Sequence, residues 1–136
     1  MVAAFDMTID VKTETSGGSR HTIQIDAHTL HTDLALAATA PGPHDYFDAA
    51  LAACKALTAV TYARHKKFAL DKIHVHIERD DSKEKEGTYV LKLNIEYEGA
   101  LTAAEKQRVH EVLTKCPVHK LMTTTEIDIQ TAPLPA

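Results

Sequence analysis

The chain contains two cysteines, Cys54 and Cys116, and they are the side chains best suited to chemistry. A thiolate attacks peroxides and disulfides and binds metal ions, whereas a buried thiol packs as a small apolar group. The sequence has no CxxC pair, and two cysteines cannot complete a zinc site alone. The residues therefore leave two interpretations open, which are redox chemistry and simple packing.

Cys54 lies in the middle of a long predicted helix, at about residues 44–67. Pro43 suits the first helical turn, and a basic cluster at residues 64–67 suits the negative end of the helix dipole. The stretch between Tyr46 and Tyr62 is apolar on nearly every side, which is typical of a buried helix. It is too short and too rich in alanine for a membrane span.

Cys116 directly precedes Pro117, which predicts that it lies at the start of a short helix. A helix N-terminus favours the thiolate form, so by position alone Cys116 is the more nucleophilic of the two thiols. Burial disfavours a thiolate, so Cys54 would need a nearby cation. Lys55 is adjacent in sequence but points about 100° away around the helix. His119 could polarise Cys116 or could be incidental.

The remaining pattern consists of short alternating segments and one further helix. Thr102 and Glu105 form a capping box, which predicts a helix to about residue 115. The pattern over residues 27–40 is less clear: residues 28–33 look irregular, and residues 34–38 suit a short strand or a turn of helix. Period-two alternation predicts strands at residues 1–12, 21–26, 73–79, 89–97 and 126–131. Because the strands come in hairpins, the fold class is α+β, with antiparallel hairpins around a long buried central helix.

Composition limits the remaining possibilities. A length of 136 residues with 44% hydrophobic content suits one domain over residues 1–136. The net charge of −4 and the lack of a long basic run argue against nucleic acid. The N-terminus lacks the pattern of a signal peptide, so a cytoplasmic, non-membrane protein is expected. One small sheet cannot cover a helix that is apolar all round, which predicts a homodimer with this helix at or near the interface.

Two of the nine histidines are candidate metal ligands by their spacing. His74 and His76 alternate onto one strand face, a spacing that can share a metal ion. Local spacing supplies no third ligand, so no metal is expected.

The sequence resembles the OsmC/Ohr family, named for osmotically inducible protein C and organic hydroperoxide resistance proteins. The matching residues are Gly42-Pro43, the alanine-rich run 49–53 before Cys54, and the segment 116–121 with the sequence CPVHKL. The resemblance implies an intertwined α+β homodimer with active sites at the dimer interface. It also implies thiol-dependent reduction of organic hydroperoxides or hydrogen peroxide in oxidative stress defence. No cofactor is expected beyond an external dithiol reductant.

The resemblance also implies roles for individual residues. Cys54 matches the cysteine that attacks peroxide, and Cys116 matches the resolving cysteine that forms a disulfide with it. The family places a glutamate after the proline and an arginine in the N-terminal hairpin, to activate the thiol. In this chain His44 follows the proline, so the candidate activators are Asp45 and Arg20, the arginine of that hairpin. Asp45 lies about half a revolution from Cys54, so it could orient an arginine, face a partner subunit or only stabilise the helix dipole.

Several side chains share the Cys54 side of the helix and could form a pocket for an alkyl hydroperoxide, although such a stripe also suits a core. They are Phe47, Ala50, Leu51, Leu57 and Thr58. Three functions are compatible with this pattern. The first is a two-cysteine thiol peroxidase, the second is a non-catalytic dimer that binds a small ligand, and the third is a redox sensor.

Overall fold

A computed structural model of the chain describes residues 7–136. Its contacts divide the chain into two compact units, Met1–Phe47 and Asp48–Ala136. Antiparallel strands and three α-helices make up the described chain, which confirms the α+β class. The single domain expected over residues 1–136 stays a prediction.

The N-terminal unit contains a three-stranded antiparallel sheet in the order β1 (Ile9–Thr13), β2 (His21–Ile25) and β3 (His28–Thr32). The first two strands form the expected hairpin, although residues 1–6 of the first predicted strand lie outside the described residues. The irregular structure expected at residues 28–32 was wrong. Asp26 adopts a left-handed φ of 51°, which makes a tight turn and lets residues 28–32 pair with β2. Pairing with a neighbouring strand therefore outweighs the weak alternation of apolar and polar residues in this segment. Residues 34–38 form a turn rather than a strand.

Helix α1 spans Pro43–Lys66, close to the predicted bounds. At its start, the Gly42 backbone N–H donates to Asp45 Oδ2 at 2.8 Å. At its end, Lys67 adopts a left-handed φ of 59°, and Phe68 N–H donates to the Ala63 carbonyl at 2.9 Å. This geometry is a Schellman cap, with a lysine in the position that glycine usually takes.

Helix α1 buries one face rather than its whole circumference. The buried residues recur at intervals of three or four, as one helix face requires: Asp48, Leu51, Lys55, Ala59 and Ala63. Leu57, on another face, is 67% exposed. The burial expected on nearly every side is therefore not met within a single chain.

The C-terminal unit adds an antiparallel hairpin and two shorter helices. Strands β4 (Lys72–Asp80) and β5 (Val90–Glu98) pair along their full lengths. Helix α2 (Ala103–Val112) begins with the predicted Thr102–Glu105 capping box and runs into a 3₁₀ turn at Leu113–Lys115. Helix α3 (Pro117–Thr123) follows, with Cys116 as its N-cap.

The strand predicted at residues 126–131 was wrong. A strand needs a neighbour for its backbone hydrogen bonds, and within residues 7–136 this segment pairs with none. Ile127 and Ile129, which supplied the alternation, are exposed. Within the same described range, no helix is long and apolar enough to cross a membrane.

The core of the C-terminal unit joins α1 to α2 and the turn after it. Ala59, Val109 and Leu113 are buried together. The inward faces of β4 and β5 pack against them through side chains such as Ile73 and Ile95, as the alternation predicts.

Truncation of Val109 to alanine should lower the free energy of unfolding by about 2 kcal/mol, because Val109 is 0% exposed and the smaller side chain leaves a cavity. Urea unfolding at a fixed protein concentration measures the change. Val11→Ala is the matched control, since Val11 is 55% exposed in the single chain. Equal losses in the two variants would contradict the assignment of Val109 to the core.

Candidate active site

Cys54 lines an open groove of about 770 Å³ in the C-terminal unit. Its walls are almost wholly apolar, and they come from one side of α1, the end of α2 and the start of α3. The lining residues are Ala50, Ala53, Cys54, Leu57, Thr58, Thr61, Tyr62, His65, Val112, Pro117 and Val118. Such a groove suits a small, mainly apolar molecule that reaches a thiol.

Three of the five predicted pocket residues, Ala50, Leu57 and Thr58, line this groove beside Cys54. Leu51 does not, because it lies on the buried face of α1 and packs inward. Phe47 is half exposed, belongs to the N-terminal unit and is not among the lining residues.

The two cysteines differ sharply in exposure. Cys54 is partly buried at the groove, whereas Cys116 is 0% exposed, and both are free thiols. Pro117 and Val118, which follow Cys116, line the same groove as Cys54. The structure thus brings the segment that begins at Cys116 to the groove that Cys54 lines.

Lys55 is a buried cation next to Cys54, and the sequence alone indicates no role for it. Its ammonium donates to the Leu113 carbonyl at 2.6 Å and lies 2.8 Å from His119 Nδ1. A charged group can be buried only when such partners satisfy it. The available clue in the sequence was the spacing of the two charged residues in a mostly apolar stretch. Lys55 lies seven residues after Asp48, which places both on the same face of the helix.

Asp48 is the second buried charge on α1. Its carboxylate accepts hydrogen bonds from Arg79 Nε at 2.6 Å and from the Tyr89 hydroxyl at 2.7 Å. Burial of the phenol, together with the hydrogen bond to Asp48 and the charge of Asp48, raises the pKa of Tyr89 to about 12. The cluster fastens the early part of α1 to the β4–β5 hairpin and so fixes the helix that carries Cys54.

Asp45 and Arg20, the predicted activators, have local partners in the N-terminal unit. Asp45 accepts the Gly42 N–H and so caps the start of α1, a local role beyond the dipole stabilisation that the sequence allowed. Arg20 donates to Glu14 at 3.0 Å and to the Thr39 carbonyl at 2.6 Å. Their action on Cys54 stays a prediction.

Glu14, the carboxylate that holds Arg20, is itself well satisfied. It accepts hydrogen bonds from Thr22 at 2.9 Å and lies 2.6 Å from His31 Nδ1. These hydrogen bonds, with the charge of Arg20, lower the pKa of the Glu14 carboxyl, so Glu14 is a permanent anion beside the guanidinium at neutral pH.

The sequence profile of one protein family, described as OsmC-like protein, matches residues 36–132. The match covers most of the chain and includes both cysteines. The chain belongs to the OsmC-like protein family. No curated protein sequence matches it.

Solved structures share the fold of this OsmC-like protein. An OsmC-like protein from Mycoplasma pneumoniae superposes with a TM-score of 0.72 at 20% identity, covering 89% of both chains. The organic hydroperoxide resistance protein OhrB of Bacillus subtilis gives 0.60 at 20% identity, over 90% of this chain and 93% of that one. An organic hydroperoxide resistance protein OsmC from Legionella pneumophila gives 0.61 at 18%, with the same coverage. At these identities the similarity establishes the fold alone.

The histidines that the sequence singled out lie on the exposed face of the β4–β5 hairpin in this OsmC-like protein. His74 Nδ1 is 3.8 Å from Glu96, and His76 Nε2 is 3.3 Å from Glu78. Across residues 7–136, no three His, Cys, Asp or Glu side chains are grouped closely enough to hold a metal ion.

The partly buried phenol of Tyr89 predicts a pH dependence of stability in alkali. Because folding raises its pKa from 10.0 to about 12, the stabilisation is complete below pH 10 and is lost as pH rises through 12. Tyr89→Phe has no phenolic proton to release, so its free energy of unfolding should fall less over this interval. Chemical unfolding at pH 9 to 12 measures both proteins, and parallel curves would contradict the assignment.

Proposed function

We propose that this OsmC-like protein is a thiol-dependent peroxidase that reduces organic hydroperoxides, with Cys54 as the attacking thiol and Cys116 as the resolving thiol. One observation carries the proposal: the partly exposed thiol of Cys54 lines an apolar groove, and the two residues that follow Cys116 line the same groove. The family supports a role in peroxide resistance. Similar folds include two structures described as organic hydroperoxide resistance proteins.

The first step is a two-electron oxidation of Cys54. Its thiolate attacks the terminal oxygen of the hydroperoxide, the O–O bond breaks, and the alkoxide takes up a proton and leaves as an alcohol. Cys54 is left as a sulfenic acid. Apolar walls favour an alkyl hydroperoxide over hydrogen peroxide, because each buried methylene contributes roughly 0.8 kcal/mol to binding.

The second step joins the two cysteines. The Cys116 thiolate attacks the sulfenic sulfur of Cys54, the S–S bond forms, the S–O bond breaks, and hydroxide leaves as water after protonation. An external dithiol then reduces the disulfide by thiol exchange and is itself oxidised. Such a cycle suits the reducing cytoplasm. Arg20 remains the candidate cation for stabilising the Cys54 thiolate, and Asp45 the candidate carboxylate for orienting an arginine.

The exposed apolar surface of α1 supports a homodimer as the working unit. Leu57 is 67% exposed in the single chain, and it lies on the groove that Cys54 lines. A second subunit that covers this surface would shield the thiol from water, as the family resemblance implies.

A change of Leu57 to glutamate should therefore convert a dimer to a monomer, because it places a charge in an apolar interface. Light scattering after size exclusion should give twice the chain mass of 14.9 kDa for the wild type and the single mass for the variant. Leu134→Glu, which changes an exposed leucine near the C-terminus, is the matched control and should stay dimeric. A monomeric wild type would overturn the dimer.

The cysteine variants test the peroxidase directly. Cys54→Ser should reduce hydroperoxide consumption by at least about 100-fold, because an alcohol is a far weaker nucleophile than a thiolate. Cys116→Ser should still consume one equivalent and then leave Cys54 as a sulfenic acid, which dimedone traps and mass spectrometry detects. The wild type should instead form a Cys54–Cys116 disulfide.

If Cys54 stays unmodified after one equivalent of cumene hydroperoxide, the peroxidase proposal fails. The open apolar groove then favours a second function, the binding of a small apolar ligand with structural cysteines. In that case Cys54→Ser would bind an apolar fluorescent probe as tightly as the wild type does.

A further inference from the structure

We infer that Lys55 is a positioning residue for the resolving step, which holds the Cys116 segment in place for its reaction with Cys54. The inference rests on the proposed function and deepens it. It assigns a task to a buried cation that the peroxidase scheme otherwise leaves unused.

Lys55 is 6% exposed, so its ammonium has given up most of its contact with water. It compensates through two partners, the Leu113 carbonyl at 2.6 Å and His119 Nδ1 at 2.8 Å. With Lys55 as the ammonium, Nδ1 of His119 is the acceptor and the imidazole carries its proton on Nε2. Two short hydrogen bonds from one buried cation fix the partner segment firmly.

The two partners lie on either side of Cys116, three residues before it and three residues after it (113, 116, 119). Leu113 begins the 3₁₀ turn, and His119 lies in the first turn of α3. The Leu113 carbonyl also accepts the Cys116 backbone N–H at 3.4 Å. Lys55 therefore holds the same carbonyl that fixes the backbone of Cys116.

The other end of this connection is the neighbour of Cys54 on α1. One side chain thus links the backbone next to the attacking thiol to both flanks of the resolving thiol. Cys116 is 0% exposed and lies between the 3₁₀ turn and α3, so the position of that segment sets the geometry in which it meets an oxidised Cys54. Its reaction depends on a held geometry, and the hydrogen bonds of Lys55 supply it.

The step that Lys55 serves is the resolving displacement: the Cys116 sulfur bonds to the Cys54 sulfur, and the sulfenic oxygen leaves as water. Lys55 exchanges no proton or electron in it. Its loss should therefore slow disulfide formation and leave the preceding oxidation of Cys54 by peroxide almost unchanged. A merely structural role would slow both steps together.

Lys55→Met tests this separation, because methionine keeps much of the side-chain length and removes every donor. With one equivalent of cumene hydroperoxide, the variant should consume peroxide within about twofold of the wild type and form the disulfide roughly tenfold more slowly. Dimedone should trap Cys54 sulfenic acid in the variant. Lys106→Met, the same change at an exposed lysine of α2, should match the wild type in both steps.

His119→Leu is the second variant, for the case that Lys55→Met does not fold. It removes one acceptor and leaves the Leu113 hydrogen bond, so disulfide formation should slow by a smaller factor. Unchanged disulfide formation in a folded Lys55→Met protein would overturn the inference. An equal loss in both steps would also overturn it.

Diamide, which oxidises two neighbouring thiols to a disulfide and is reduced to a hydrazine, separates this inference from the peroxidase itself. Lys55→Met should form the Cys54–Cys116 disulfide roughly tenfold more slowly than the wild type with diamide as well. If the wild type ignores hydroperoxide, the proposed function fails while the diamide comparison still decides the role of Lys55. If the wild type forms no disulfide with diamide, the positioning role is wrong.

Discussion

Helix α1 buries two charges, and each of them needs partners from elsewhere in the C-terminal unit. Asp48 finds Arg79 and Tyr89, which belong to the β4–β5 hairpin and its approach. Lys55 finds the Leu113 carbonyl and His119, which flank Cys116. Because an unpaired buried charge costs several kcal/mol, these contacts fix α1 to the β4–β5 hairpin and to the segment around Cys116. The position of Cys54, between the two charges in sequence, follows from them.

The apolar core around the same helix has a complementary effect. Ala59 is small enough for Val109 and Leu113 to pack closely against α1. That packing places the end of α2 and the following turn beside the helix, at the level where Lys55 can reach the Leu113 carbonyl. Apolar packing therefore brings the segment around Cys116 close to α1, and the hydrogen bonds of Lys55 fix its position along the helix.

The groove beside Cys54 is the remaining consequence of this arrangement. One face of α1 is committed to the core, so the adjoining face is left to line an open, apolar groove. Pro117 cannot extend the preceding helical turn, and it starts α3 at the groove edge instead. A partly buried thiol, Cys54, thus lines the groove, whereas the fully buried Cys116 directly precedes two residues of the groove wall.

The sequence by itself determined much of the fold. Strong local patterns predicted α1, the Thr102 capping box, the β4–β5 hairpin and the break at Pro117, because periodicity and caps act over a few residues. The motifs around the two cysteines also predicted the family. Only the tertiary structure decided that residues 28–32 form a strand and residues 126–131 do not, because a strand depends on a partner that local pattern cannot identify. It alone showed that Lys55 reaches the Cys116 segment, because residues 58 positions apart meet only after the core has formed.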